Sequence, residues 1–330
     1  MIFSDKKSFG IVESQFLNNK YIAYSTFGSV KTPIGITPSD ATAIDSCKSL
    51  ALLKAYNEHL ERRKMGFQTM QDQDIKSFNY VRKEISNNKK NYFGYGFNHI
   101  YGRIDTTGTA SGIYLEDLVQ KAILEIIEKN EMFLFWYLKK GFVIKKDYYI
   151  TNKLKQYNFS SDRIEIYKCC ELSNFITFIV VLISDNKIIA SGAGINGDAN
   201  SALEKALSEA RLIEWQNKNN PMSNINNLTV EKNIEVINYI NYLNGYLPNI
   251  NFSSSSQKSL KIPNWISSFD VAVLNSMYDL ESLTIKCISK DLFNCLPIKN
   301  NILLSLDKKI IQYYNVHISI INKTPDCILL

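Results

Sequence analysis

Three helices, each entered through a loop of small residues and each carrying glutamates, constrain this chain more than any other feature. The first unit runs from Gly35-Ile36-Thr37-Pro38-Ser39 to Asn57-Glu58-His59-Leu60-Glu61-Arg62. The second runs from Thr107-Gly108-Thr109-Ala110-Ser111-Gly112 to Glu125-Ile126-Ile127-Glu128-Lys129-Asn130. The third runs from Gly192-Ala193-Gly194-Ile195-Asn196-Gly197 to Ser208-Glu209-Ala210-Arg211. Helical patterning covers 47–64, 115–139, 199–215, 231–243 and 268–280. Short Ile-, Val-, Tyr- or Phe-rich segments at 20–25, 147–150, 164–169, 175–183, 187–190, 283–288 and 310–320 read as strands. Strands and helices interleave, so the class is α+β (mixed α/β), with helices packed on β-sheets.

Glu58 with Glu61, and Glu125 with Glu128, are i,i+3 pairs, stacked on one side of a helix with Cβ atoms roughly 5–6 Å apart. Two carboxylates held that close repel unless a cation sits between them. An oxygen-preferring ion such as Mg²⁺ fills that role, above all when it also carries nucleotide phosphates. On the second helix Leu118, Val119, Ala122, Ile123, Ile126 and Ile127 make an apolar face with Glu125 at its edge. A carboxylate there is costly unless paired. The plain alternative is that Lys54, Lys121 and Lys129 pair with these glutamates on helix surfaces.

Other chemistries find no support. Gly192–Gly197 matches G-x-G-x-x-G, but Asp198 would put a negative charge where a pyrophosphate must bind. Asp198 reads better as a helix cap. There is no phosphate-loop motif, no H-E-x-x-H and no G-x-S-x-G. His59, His99 and His317 suggest no triad, and His59 reads as a surface residue. Asn91-Tyr92-Phe93-Gly94-Tyr95-Gly96-Phe97 reads as core packing or a substrate-facing loop. The 38 Lys and Arg against 32 Asp and Glu leave +6 over 330 residues, in short scattered runs that make no nucleic-acid patch. No apolar h-region follows Met1–Lys7, and Phe175–Ile183 is half a membrane span and reads as a buried strand. The six cysteines show no zinc spacing, and adjacent Cys169 and Cys170 point to opposite faces of a strand. Free thiols suit a reducing cytoplasm. Cys327-Ile328-Leu329-Leu330 fits the loose prenylation pattern, without the polybasic stretch that usually accompanies it. The chain is therefore expected to be cytoplasmic, with no nucleic-acid or membrane partner.

Taken together, the three units resemble the YcaO family, ATP-dependent enzymes that activate peptide-backbone amides. Leu53–Arg62 is similar to its A-x-x-E-x-x-E-R helix. Thr107–Gly112, Leu115-Glu116-Asp117 and Ala122–Glu128 resemble S-N-G-x-A-x-G … L-E-E-A … L-x-E-x-x-E-R-D. Gly194 through Ala202-Leu203 to Ala206–Ala210 resembles G-x-G … A-L-x-x-A-L-T-E-A. Order and spacing hold over 30–215. The resemblance implies a YcaO-like fold with an ATP site between helices, in which Glu58, Glu61, Glu125, Glu128 and Glu209 hold Mg²⁺ against the triphosphate and Arg62 contacts phosphate. It implies one domain over 1–330, with an Asn- and Ser-rich loop or insertion at 215–260. The activity implied is cyclodehydration: a Cys, Ser or Thr of a ribosomal precursor peptide attacks the preceding amide, ATP phosphorylates the oxyanion, and a thiazoline or oxazoline results. A bacteriocin-type complex with a leader-binding, E1-like partner protein and a flavin dehydrogenase would be its setting.

The departures are specific. The E-R-D after the second pair reads Glu128-Lys129-Asn130, and the Q-x-x-R after Glu209 reads Leu212-Ile213-Glu214-Trp215. Lys54 replaces a small residue, and no proline-rich tail or winged-helix segment is seen. Two readings therefore stay beside the first: a thioamide-forming YcaO enzyme, and a degenerate, non-catalytic scaffold subunit.

Overall fold

A chain that interleaves strands with helices must cover both faces of its sheets, and the longest apolar run shows how this one does so. In the computed structural model, which describes residues 9–12, 20–219, 225–274 and 282–329, the strand Ile176–Ser184 is buried along nearly its whole length. Alternate side chains enter different cores. Ile176, Phe178, Val180 and Leu182 join one, while Ile179, Val181 and Ile183 join the other. This strand lies in a five-stranded sheet ordered Lys187–Asn196, Ile176–Ser184, Arg163–Cys169, Phe142–Ile144, Asn249–Ile250, in which only the last pair is parallel. A second five-stranded sheet, antiparallel throughout, runs Thr109–Gly112, Leu283–Ile288, Asp270–Val273, Asp74–Asn79, Glu84–Lys89. Phe9–Val12, Tyr21–Thr26 and Asp40–Asp45 form a three-stranded sheet.

The five longest helices are α1 (Lys48–Thr69), α2 (Leu115–Leu138), α3 (Tyr148–Tyr157), α4 (Ala199–Asn219) and α5 (Val230–Tyr246). Helix α2 touches strands of both five-stranded sheets, and every residue from Ile126 to Tyr137 is buried. A helix apolar all round belongs in the centre of a fold. The polar residues of that stretch therefore need partners. Asn130 finds them by exchanging hydrogen bonds with the backbone of Phe293, at 2.9 Å each way. Helix α1 packs on the three-stranded sheet through Ala51 and Ala55, against Ala23 and Ala43.

Helix α4 lies on Lys187–Asn196, and the G-x-G of that strand explains its closeness. Gly192 and Gly194 sit opposite Val180 and Phe178, on the α4 side of the sheet. A Cβ on Gly192 would fall 2.2 Å from the backbone nitrogen of Ala210, and one on Gly194 2.4 Å from the carbonyl of Ala202. These glycines serve helix–strand contact. Asp198 caps α4 as expected, its carboxylate accepting from the N–H and hydroxyl of Ser201 at 2.8 and 2.7 Å.

Several expectations need correction. Residues 147–150 form no strand: Asp147 accepts from the N–H of Ile150 at 2.9 Å and starts α3. The 310–320 segment is two short helices, Lys309–Tyr313 and Ile318–Lys323, separated at Asn315 by a left-handed φ of 49°. The helix expected over 268–280 is replaced at Asp270–Val273 by an inner strand, and 275–281 lie outside the described residues. Within 215–260, α5 covers the stretch expected to be helical at 231–243, and Asn249–Ile250 completes a sheet. Of the Asn-rich stretch, 220–224 lie outside the described residues, as do Met1–Lys7 and Leu330. Cys169 ends its strand and is buried, while Cys170 lies just past the strand and is exposed. Among the described residues no helix is long and apolar enough to cross a membrane.

Candidate active site

Each five-stranded sheet ends in a strand with one unpaired edge, Thr109–Gly112 in one case and Lys187–Asn196 in the other. Unpaired backbone N–H groups in a half-buried place need acceptors. Glutamates from the three helices supply them. Glu61 of α1 accepts from the N–H of Ser111 at 2.7 Å, Glu128 of α2 from Ile195 at 3.1 Å, and Glu209 of α4 from Ala193 at 2.7 Å. The same anchoring brings the helices round one cavity of about 760 Å³. Glu58, Glu61, Arg62, Glu125, Glu128 and Glu209 all line it, so every site residue expected from the sequence faces the same space.

The carboxylates are not alike. Burial pushes Glu61 up to about 8, opposed by Lys121 and helped by Glu125 and Glu58. Burial likewise takes Glu125 to about 7 and raises Glu58 and Glu209. Glu128 goes the other way. Burial opposes its ionisation too, but Lys205 at 2.7 Å and Lys129 at 3.2 Å outweigh it and hold the carboxyl at about 2. The plain alternative of lysine pairing thus holds for Glu128, whereas Lys54 goes to Asp45, at 2.5 Å. Arg62 pairs with Glu58 at 2.6 Å and also bonds the carbonyl of Asp40.

Burial disfavours the ionised form of Glu58, Glu61, Glu125 and Glu209, and a divalent cation among them would favour it. Among the described residues no three acidic, His or Cys side chains converge tightly enough to hold an ion alone. Pairs completed by phosphate oxygens and water suit Mg²⁺. Arg62, Lys121, Lys129 and Lys205 line the same cavity and could meet phosphate. The sequence reading missed Lys205, and also Lys20 at the far wall, which donates to Tyr157 at 2.8 Å and Ser208 at 2.7 Å. It missed Lys286 as well, a fully buried strand residue whose ammonium bonds the carbonyls of Asp105 and Thr107 beside cavity-lining Thr106. Isolated lysines carry no spacing signal, so only their position in the fold reveals them. Leu212, at the first position of the missing Q-x-x-R, does reach the cavity wall, as an apolar residue.

Residues 90–261, slightly over half of the chain, match the family described as YcaO cyclodehydratase, ATP- and Mg²⁺-binding. The chain belongs to the YcaO family. ATP and Mg²⁺ are the cofactors of that family. Comparison with curated protein sequences gives no match. Among solved structures, this YcaO chain resembles YcaO from Methanopyrus kandleri bound with AMPPCP and Mg²⁺, at 11% identity and a TM-score of 0.65 over 86% of this chain and 87% of that one. It resembles the E. coli microcin synthetase McbBCD complex with pro-MccB17 bound, at 13% identity and a TM-score of 0.66 over 96% of each chain. A heterocyclase in complex with substrate and cofactor matches at 12% identity and a TM-score of 0.63, over 96% of this chain and 54% of that one. At such identities the likeness establishes a common YcaO fold.

One expectation fails here. His59, read as a surface residue, is 1% exposed, because one step along α1 from Glu58 turns it about 100° away from the cavity and under Phe27.

Proposed function

We propose that this YcaO chain is the ATP- and Mg²⁺-dependent cyclodehydratase subunit of a peptide-modifying complex, forming thiazolines or oxazolines from Cys, Ser or Thr of a ribosomal precursor peptide. The observation that carries the reading is the meeting of Glu58, Glu61, Glu125, Glu128, Glu209 and Arg62, drawn from three separate helices, round one cavity. Bound ATP would supply the phosphoryl group that turns an amide oxygen into a leaving group, with Mg²⁺ neutralising the phosphates. The protein's part is positioning and electrostatics. Glu58, Glu61, Glu125 and Glu209 offer oxygens to the metal, while Arg62, Lys121 and the exposed Lys205 offer donors to phosphate. No triad is needed when the nucleophile belongs to the substrate. A leader-binding partner protein, a flavin dehydrogenase and a single-domain organisation over 1–330 complete the proposal.

Glu125→Gln should reduce ATP hydrolysis, measured with precursor peptide and partner present, by about a hundredfold or more. Mass spectrometry of the peptide separates the chemistries: loss of one water marks an azoline, and exchange of oxygen for sulfur a thioamide. Two observations favour a second reading, a non-catalytic scaffold. Glu128 is already neutralised by two lysines, and Leu212 presents no polar group to the cavity. Calorimetry showing no nucleotide binding in the complete complex would establish the scaffold and sink the enzyme.

A further inference from the structure

Past the ATP cavity along α1 lies a cleft of about 410 Å³, within the size range of ligand sites. Thr69 of α1 stands in its wall, and Arg62, in the wall of the ATP cavity, lies seven residues earlier on the same face. Seven residues are about two turns, which puts the two walls about 10 Å apart. A second segment makes the same link, for Ile104 lines the cleft and Thr106 the cavity. Most of the cleft is built from the aromatic and glycine segment between Asn91 and Ile100, which the ATP site leaves unused. Among the described residues its lining holds no Lys, Arg, Asp or Glu. Ile34, Phe97 and Ile100 are exposed apolar side chains on it. Two half-buried residues, Asn91 and Tyr95, bring polar atoms with no hydrogen-bond partner, the Oδ1 of one and the hydroxyl of the other. Buried polar atoms normally find partners. The strand Gly96–Asn98 pairs only with Gly102–Ile104 among the described residues, which leaves its other edge open. Gly96, at a φ of 141°, has no side chain to cover its backbone.

Such a wall suits a polypeptide backbone. Asn91 Oδ1 can only accept, and the Tyr95 hydroxyl can donate. An extended peptide offers an N–H to the first, a carbonyl to the second and a strand to the open edge. A wall without charges makes a charged side chain costly there, since it would lose water and gain no partner. We propose that this cleft binds the stretch of the precursor peptide that is modified, extended and uncharged, with its backbone on Asn91, Tyr95 and the Gly96–Asn98 edge and its small or apolar side chains against Phe97 and Ile100. The identity of the ligand rests on the peptide-modifying activity proposed above. The cleft adds where the substrate lies and which neighbours of the reacting residue it accepts.

Phe97 is exposed, so p-benzoylphenylalanine in its place in the full chain reports occupancy by photo-cross-linking. With Mg²⁺ and AMPPCP present, which allow no turnover, acetyl-Gly-Ile-Gly-Ser-Gly-amide should label the protein saturably. Acetyl-Gly-Asp-Gly-Ser-Gly-amide and acetyl-Gly-Lys-Gly-Ser-Gly-amide should label it at least about tenfold less. Tyr95→Phe removes only the hydroxyl and should raise the half-saturating concentration of the neutral peptide about threefold or more. Ile100→Glu, at an exposed position, should raise it about tenfold while the affinity for AMPPCP, read by calorimetry, stays in place. In the complete complex, the cross-link to the precursor itself should map to the stretch that is modified. Mass spectrometry of the parent complex and its precursor reads the proposed activity separately, so failure of that activity and failure of the cleft appear in different measurements. No labelling by the neutral peptide, equal labelling by the charged ones, no effect of either variant, or a precursor cross-link confined to the leader would overturn the proposal.

Discussion

Glu131 follows directly on the cavity-lining part of α2, and its environment gives it a different task. It is 1% exposed, one oxygen accepts from the N–H of Leu172 at 2.6 Å, and the other has no partner. Burial, opposed by the backbone bonds and helped by the charge of Glu171, lifts its carboxyl to about 7. A folded pKa above the unfolded one favours the protonated form, so stability is greatest at acid pH and falls as pH rises from about 4.5 to about 7. Glu131→Gln keeps an acceptor for Leu172 and cannot ionise. Denaturant titrations should show it about 3 kcal/mol more stable than the parent at pH 8, with the difference vanishing near pH 4.5. Nothing in the spacing singles out Glu131 from Glu128, three residues earlier. One meets two lysines and a strand edge, the other only a loop backbone, and that difference is tertiary.

Elements were legible where period and caps agreed. The Leu118–Ile127 stripe marks α2, and the apolar run ending at Ile183 marks a strand covered on both faces. Legibility failed where apolar runs were short. Residues 310–320 hold too few positions to separate a strand from two helical turns, and Asp147 as a cap outweighs the β-propensity of Tyr148, Tyr149 and Ile150. The Gly192-x-Gly194 pair was visible, but its purpose required the helix beside it. Because a Cβ at 194 would collide with the backbone of α4, Gly194→Ala must push the helix off the sheet. The expected cost is about 1–3 kcal/mol in thermal or chemical unfolding. Nucleotide affinity, read by calorimetry, should drop with it, since Glu209 rides on α4.

At the scale of the whole molecule, the family resemblance located the cavity before its walls were known. It could do so because Glu58, Glu125 and Glu209, distant in sequence, each keep a family spacing. Sheet order and the central place of α2 left no such trace, since each depends on pairings between distant segments. The carboxylates that accept from Ser111, Ala193 and Ile195 also have a bearing on solubility. They seal the open borders of two sheets, and an open border is a template for another chain. Removing the side chain is therefore a different experiment from removing the charge. Glu209→Gln retains an oxygen for Ala193 and should stay monodisperse by light scattering. Glu209→Ala strips that border, and it should self-associate on warming whether or not any ligand is bound.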